Sequence, residues 1–177
     1  MIIKLSLILS LISFVLGILN PAFYLPWSGF ISEYLIFWSL IFLLPVLFKY
    51  QTAISKLSLF FLLTAAIPVI QYSFGQIIYF DKMVLAVGYI FSFWIAIIAG
   101  FNSAKHYKSS LDYFFLTITG CAVVSSVIAI AQWLNIPMSL DWVMVASSRP
   151  SANMAQPNHL ATFLLISLIS CFYFYEP

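Results

Sequence analysis

The residues best suited to chemistry lie in the densest polar stretch of the sequence, residues 149–162 (RPSANMAQPNHLAT), which we call the polar segment. Asn158 directly precedes an apolar run, and an asparagine there can cap a helix by accepting a backbone hydrogen bond. The positive end of that helix dipole then lies beside Arg149, the only arginine of the chain. The segment therefore predicts a binding site for an anionic group. The alternative is a purely structural role, in which the segment only caps the helix and places an arginine at the membrane interface.

The sequence lacks the patterns of several other kinds of site. There is no carboxylate pair, nucleophile triad or glycine-rich phosphate loop. Cys121 and Cys171 lie inside apolar runs without the spacing of metal sites or disulfide frameworks, so we interpret both as packing residues. His106 and His159 are far apart in the sequence. We therefore expect no metal and no cofactor.

Two other segments carry weaker signals. Residues 20–30, with Glu33 just beyond, combine prolines and aromatic residues. They fit an aromatic belt with a proline-stiffened turn, or a rim that contacts lipid or substrate. Residues 71–76 (QYSFGQ) place two amides within a largely apolar stretch, so Gln71 is expected to line a polar pocket or to form an interhelical hydrogen bond.

The composition places these residues in a membrane protein. Of the 177 residues, 64% are hydrophobic and only 7% are charged, whereas a soluble domain has about 25% charged residues. The net charge of +2 comes from scattered single residues, which does not form the basic patch that nucleic acids require. We predict an all-α polytopic bundle that contacts membrane lipids and does not bind nucleic acid.

Apolar runs separated by polar or proline-rich breaks predict the membrane-spanning helices. About 20 apolar residues are needed per span, so the chain has room for about six. The predicted spans are residues 2–19, 31–48, 57–74, 83–101, 113–133 and 159–175. The first run resembles a signal peptide but lacks a small-residue cleavage pattern, so we expect it to remain as an anchor.

The positions of the basic residues predict the orientation, because positively charged loops are retained in the cytoplasm. With the N-terminus inside, the basic residues of the inner segments are Lys4, Lys49, Lys56, Lys105 and Lys108. Those of the outer loops are Lys82 and Arg149. Both termini are therefore predicted to be cytoplasmic. The polar segment and Gln71 then lie on the outer side, with His106 and His159 on opposite sides of the bilayer.

The polar segment resembles the signature of bacterial pilin-type protein O-oligosaccharyltransferases, which belong to the O-antigen ligase and polymerase superfamily. Three upstream stretches resemble the family more weakly. They are Leu25, Pro26 and Trp27 with Phe30 and Glu33, then residues 68–71 with Gly75, and then residues 131–134 (AQWL). The resemblance thus covers most of the chain, but only the polar segment is specific enough to name the family.

The resemblance implies an enzyme of the bacterial inner membrane with its active face in the periplasm. It would transfer an oligosaccharide from an undecaprenyl-diphosphate carrier to a Ser or Thr hydroxyl of a pilin or another exported protein. The ligase branch of the superfamily, which modifies the core sugars of lipopolysaccharide, is one alternative. A membrane transporter or scaffold subunit without catalytic activity is another.

The resemblance also implies roles for individual residues. Arg149 would bind the diphosphate, and Gln156, which matches a functionally important glutamine of the family, would orient the sugar or the diphosphate. Asn158 would support the start of the helix, and Gln71 would contribute to substrate binding. His159 is a candidate general base, but a supporting or interfacial role is favoured because the catalytic histidine of the family is thought to lie in a later periplasmic loop.

Members of the family are much longer than this chain. We therefore expect residues 1–177 to form a single transmembrane domain that corresponds to the N-terminal half of an enzyme. The chain would be a fragment, a truncated gene product, or one part of a complex whose partner supplies the rest. On its own it is expected to be inactive.

Overall fold

The computed structural model describes residues 2–22, 29–49, 52–136, 143 and 149–175, and within these ranges it is helical without strands. The helices in chain order are α1 (Ile2–Leu19), α2 (Phe30–Lys49), α3 (Lys56–Thr64), α4 (Ala66–Ser73), α5 (Phe80–His106), α6 (Lys108–Trp133) and α7 (Pro157–Tyr175). The predicted all-α class is confirmed.

Within the described residues, six stretches are long and apolar enough to cross a membrane when α3 and α4 are taken together as Lys56–Ser73. The predicted number of spans is therefore confirmed. The largest differences in their limits are at α5, which continues to His106, and α6, which begins at Lys108. Because α5 has 27 residues, it is about 40 Å long and exceeds the hydrocarbon core of a bilayer by about 10 Å. The apolar pattern predicts only the part of a helix that lies within that core.

The third predicted span, residues 57–74, is interrupted at Ala65. Pro68 lies in the first turn of α4 and has no N–H to donate to the carbonyl of Thr64, and its ring crowds that carbonyl. The Ala65 N–H bonds instead to the Leu62 carbonyl at 3.2 Å, which tightens the last turn of α3. A proline thus divides an apolar run that is continuous in sequence.

The chain packs as two compact units. Unit 1 comprises Met1–Leu7 and Leu40–Lys108, and unit 2 comprises Ile8–Ser39 and Ser109–Pro177. In unit 1, α3 and α4 pack against α5. The buried Asn102 side chain of α5 accepts the Ala53 N–H at 2.9 Å and donates to the Ala53 carbonyl at 3.0 Å. This pairing fixes the connection before α3 to the C-terminal part of α5.

In unit 2, α1 and α2 meet through small residues. The Ser10 and Ser39 hydroxyls lie 3.1 Å apart, and the Ser13 hydroxyl donates to the Leu35 carbonyl at 2.6 Å. Next along α1, a Cβ atom on Gly17 would lie 2.9 Å from the Ile36 side chain. Small residues and interhelical hydrogen bonds of this kind hold helices together in membranes, where lipid removes the hydrophobic driving force between them.

The core of unit 2 joins α1, α6 and α7. One cluster has Ile118, Cys121 and Ala122 of α6 against Phe163 of α7, with the C-terminal half of α1 packed beside them. A second cluster, nearer the start of α7, consists of Ile128, Ala152 and Leu160. Ala152 belongs to the polar segment, so this segment is part of the core and does not simply cover the end of the helices.

Candidate functional site

The polar segment is attached to the last turn of α6 by the side chain of Gln132. The Gln132 Oε1 atom accepts the N–H groups of Ser151 at 3.1 Å and of Ala152 at 2.8 Å. Its Nε2 atom donates to the Ala152 carbonyl at 3.1 Å. A single amide therefore satisfies both backbone polar groups of Ala152, which is fully buried.

A second amide attaches the segment to α1. Asn153 is 2% exposed, and its Nδ2 atom donates to the carbonyl of Leu19, the last residue of α1, at 2.8 Å. Helix C-termini leave carbonyls without partners inside the helix, and this bond satisfies one of them. The next residue, Asn20, donates to the Ser32 hydroxyl of α2 at 3.1 Å. The polar segment thus lies at the end of unit 2 where α1 ends and α2 begins.

Two tight turns lead from these anchors into α7. The Met154 N–H bonds to the Ser151 carbonyl at 3.0 Å, and the Gln156 N–H bonds to the Met154 carbonyl at 2.7 Å. Ala152 and Ala155 adopt φ angles of 50° and 59°, in the left-handed region that disfavours residues with a Cβ atom. The backbone therefore reverses direction twice within a few residues before the helix begins.

The helix begins two residues earlier than the predicted span, residues 159–175. Pro157 is the first residue of α7, and the Gln156 carbonyl accepts the N–H groups of His159 at 3.1 Å and Leu160 at 3.3 Å. Gln156 therefore occupies the N-cap position, and the prediction that Asn158 caps the helix is wrong. Proline is favoured as the first helical residue because its φ angle suits a helix and its missing N–H would have no partner there.

Four predicted site residues are exposed around these buried anchors: Arg149, Gln156, Asn158 and His159. None of their side chains forms a hydrogen bond within the described residues. Buried Ser151, Ala152 and Asn153 separate Arg149 from the other three in the sequence. The arrangement leaves a cation, an amide at the N-cap and the positive end of a helix dipole available to a ligand.

Gln71, the fifth predicted site residue, lies in α4 and belongs to unit 1. Its backbone carbonyl accepts the N–H groups of Gln76 at 2.8 Å and Ile77 at 3.3 Å, which ends α4 in a turn. Its half-buried side chain has no hydrogen-bond partner in the part of the chain that the structure describes. Its participation with the polar segment remains a prediction.

The remaining predictions for individual residues have mixed outcomes. Cys121 is buried in the core of unit 2, as a packing residue should be. Cys171 is exposed on α7, with its sulfur 3.9 Å from the Thr119 hydroxyl, so its assignment as a packing residue is wrong. The exposed side of a membrane helix can be as apolar as its buried side, and an apolar run does not distinguish them. Most of the aromatic and proline segment, residues 23–28, lies outside the described residues.

Comparison with known proteins places the polar segment in a family. A model of the protein glycosylation ligase family matches residues 150–173, which include most of the polar segment and most of α7. A general O-oligosaccharyltransferase of Acinetobacter baylyi is 33% identical over 176 residues, a match that covers 97% of this chain. These two matches support an O-oligosaccharyltransferase-type family for this chain. It spans 31% of the length of that curated relative. No solved structure matches the chain.

The sequence analysis of this chain missed the role of two residues, Gln132 and Asn153. Gln132 is 20 residues from its partner Ala152, and Asn153 is 134 residues from its partner Leu19. One signal was available, because an amide in the last turn of an apolar helix needs a polar partner. Gln132 occurs in one of the weaker stretches of family resemblance, but the pattern does not show which backbone groups it binds.

Proposed function

We propose that this chain is part of an enzyme that transfers an oligosaccharide from an undecaprenyl-diphosphate carrier to a Ser or Thr hydroxyl of a pilin or another exported protein. The transfer would take place at the periplasmic face of the bacterial inner membrane. Two findings support the proposal. The related Acinetobacter protein is a general O-oligosaccharyltransferase. The family model matches residues 150–173, which begin directly after Arg149 and include Gln156, Asn158 and His159.

One observation carries the chemical part of the proposal. The side chains of Arg149 and Gln156 are exposed and without hydrogen-bond partners among the described residues, although the backbone between them is buried and held. Such side chains are available to a ligand in positions that the protein has fixed. Arg149 suits a diphosphate because guanidinium groups bind phosphate oxygens through two parallel hydrogen bonds.

These groups would act on the leaving group. The acceptor hydroxyl oxygen forms a bond to the anomeric carbon of the glycan, and the bond from that carbon to the phosphate oxygen breaks. The hydroxyl proton passes to a base, and the carrier diphosphate leaves with additional negative charge. Arg149 and the positive end of α7 would stabilise that charge, which develops most strongly in the transition state. Gln156 would orient the diphosphate or the adjoining sugar by hydrogen bonds.

We expect the substitution Arg149→Gln to lower glycan transfer about 10- to 100-fold, because a hydrogen bond to a charged group contributes about 1.5–3 kcal/mol. Gln156→Ala should lower it by about tenfold. The variants are made in the complete open reading frame and expressed with a lipid-linked glycan and an acceptor protein. The measurement is the mass shift of the acceptor, with membrane levels of each variant determined in parallel.

Thr117→Val provides a control on α6, because the Thr117 hydroxyl donates to the Tyr113 carbonyl of its own helix. It should leave transfer unchanged. Full glycosylation by both Arg149→Gln and Gln156→Ala would show that the site is elsewhere. Glycan transfer to lipopolysaccharide core and not to protein would assign the enzyme to the ligase branch.

A further inference from the structure

We propose that Gln132 is a positioning residue for the diphosphate-binding end of the polar segment. This inference rests on the proposed function, because it assigns to Gln132 control over where Arg149 meets the lipid-linked donor. The evidence is the set of three hydrogen bonds from one side chain to Ser151 and Ala152, at 2.8 to 3.1 Å.

The geometry of these bonds restricts the segment more than a single contact would. Because the Gln132 amide bonds both the N–H and the carbonyl of Ala152, it fixes the position of that peptide along α6 and also its rotation. Ala152 is fully buried between Ile128 and Leu160. A buried backbone group that loses its partner costs about 1–3 kcal/mol. This cost favours the state in which the Ala152 peptide stays hydrogen-bonded to Gln132.

Arg149 depends on this anchor more than Gln156 does. Arg149 is three residues before Ala152 and Gln156 is four residues after it, and three residues of released backbone can reach about 10 Å. On the N-terminal side, Gln132 is the anchor closest to Arg149 among the bonds that the structure describes. The Gln156 side is held separately by Asn153 and by the first turn of α7. Loss of the Gln132 bonds should therefore displace Arg149 more than Gln156.

Two variants separate this role from general damage to the fold. Gln132→Leu removes all three bonds while keeping a side chain of similar size. Gln132→Glu keeps acceptor oxygens for the N–H groups of Ser151 and Ala152 but loses the donor to the Ala152 carbonyl. Thr117→Val serves again as the control on the same helix.

The first measurement reports the position of the segment and needs no activity. Ser151 is 4% exposed, so a cysteine at this position should react slowly with a water-soluble thiol reagent. The exposed Cys171 is first replaced by serine. In the Gln132→Leu background we expect Ser151→Cys to react at least fivefold faster, in Gln132→Glu less than twofold faster, and in Thr117→Val at the original rate.

The second measurement is the steady-state kinetics of the complete enzyme with both substrates varied. We expect Gln132→Leu to raise KM for the lipid-linked donor about tenfold and to leave KM for the acceptor unchanged, because the anchor holds the donor side of the site. Gln132→Glu should recover most of the donor affinity. A residue needed only for folding would lower the amount of active enzyme without changing either KM.

Three results would overturn the proposal. They are an unchanged reactivity of Ser151→Cys in Gln132→Leu, an unchanged donor KM despite increased reactivity, and failure of both Gln132 variants to insert into the membrane. A failure of the proposed function would give a different set of results. In that case Arg149→Gln would leave transfer intact, while the thiol reactivity would still report whether Gln132 holds the segment.

Discussion

At the scale of single residues, the polar segment divides into buried residues that are anchored to the helices and residues whose side chains are exposed to solvent or ligand. Ser151, Ala152 and Asn153 are buried, whereas Arg149 and Gln156 are exposed. The alternation requires a sharply bent backbone, and Ala152 and Ala155 adopt positive φ angles to provide it. Local strain of this kind is maintained only where surrounding contacts compensate for it.

The substitution Ala155→Gly tests this strain. Glycine adopts positive φ angles without a steric penalty, so the variant should raise the free energy of unfolding by about 0.5–1 kcal/mol. Thermal or denaturant unfolding in detergent measures the change. In the matched variant Ala152→Gly, the same relief is offset by loss of a methyl group buried against Ile128 and Leu160, which contributes about 1 kcal/mol. A gain in both variants, or in neither, would contradict the assignment.

The sequence could identify the exposed residues of the site better than the residues that hold it. Arg149 and Gln156 stand out because they are polar residues within an apolar chain. The cap was misplaced to Asn158 because the pattern does not show whether the helix begins at Pro157 or only after Asn158. Gln132 was not recognised as an anchor because its partners are backbone groups, and these exist at every position of the sequence.

At the scale of helices, Gly17 allows α1 and α2 to approach closely. A Cβ atom there would lie 2.9 Å from the Ile36 Cγ1 atom and 3.1 Å from the backbone carbonyl oxygen of Ser32. Rotation of the Ile36 side chain could relieve the first contact, but the second involves the backbone of α2. Any larger residue at position 17 must therefore move one helix relative to the other.

We expect Gly17→Ala to lower the free energy of unfolding by about 1–3 kcal/mol, the usual cost of overpacking. Gly120 of α6 provides the control, because a Cβ atom there meets nothing within 4 Å. Gly120→Ala should be neutral or should stabilise the protein by up to about 1 kcal/mol, since alanine favours helix. Thermal unfolding in one detergent compares the two. Equal stabilities of the two variants would show that the helices do not depend on this contact.

Apolar runs were sufficient to predict the helices but not how they end or break. Inside a bilayer every backbone N–H and carbonyl group needs a hydrogen-bond partner within the protein. An apolar run of this length therefore forms a helix. The break at Ala65 depends on one proline, Pro68. Whether a proline interrupts a membrane helix depends on how the neighbouring helices satisfy the backbone groups that it frees. α5 continues past the predicted limit through Asn102, which is polar by type yet buried and bonded to Ala53.

At the scale of the whole molecule, orientation remains a prediction from charge. Five of the seven basic residues fall in segments predicted to be inside, and the segments that contain Gln71 and Arg149 are predicted to be on the outer side. The proposed function requires this orientation, because the proposed acceptor is an exported protein. The orientation can be tested without an activity assay.

Single cysteines at Thr52 and Gln76, both exposed in the structure, test the orientation in a chain whose Cys171 is replaced by serine. We expect Gln76→Cys to react with a membrane-impermeant thiol reagent in intact spheroplasts. Thr52→Cys should react only after the membrane is permeabilised. The buried Cys121 remains in place, and the chain without added cysteines gives the background. The reverse labelling pattern would place the polar segment in the cytoplasm and exclude the proposed reaction.

The attachment of Ala152 to Gln132 also bears on how the proposed enzyme could diversify. These two residues are 20 positions apart in the sequence but are joined directly, so the chain between them begins and ends at fixed points. Doubling the length of a connection adds only about 0.6 kcal/mol of closure entropy. Insertions ahead of Arg149 should therefore be tolerated without moving the start of α7. Evolution or an engineer could vary that part of the connection to suit new acceptors, while Arg149 and the anchored residues that follow it are inherited unchanged.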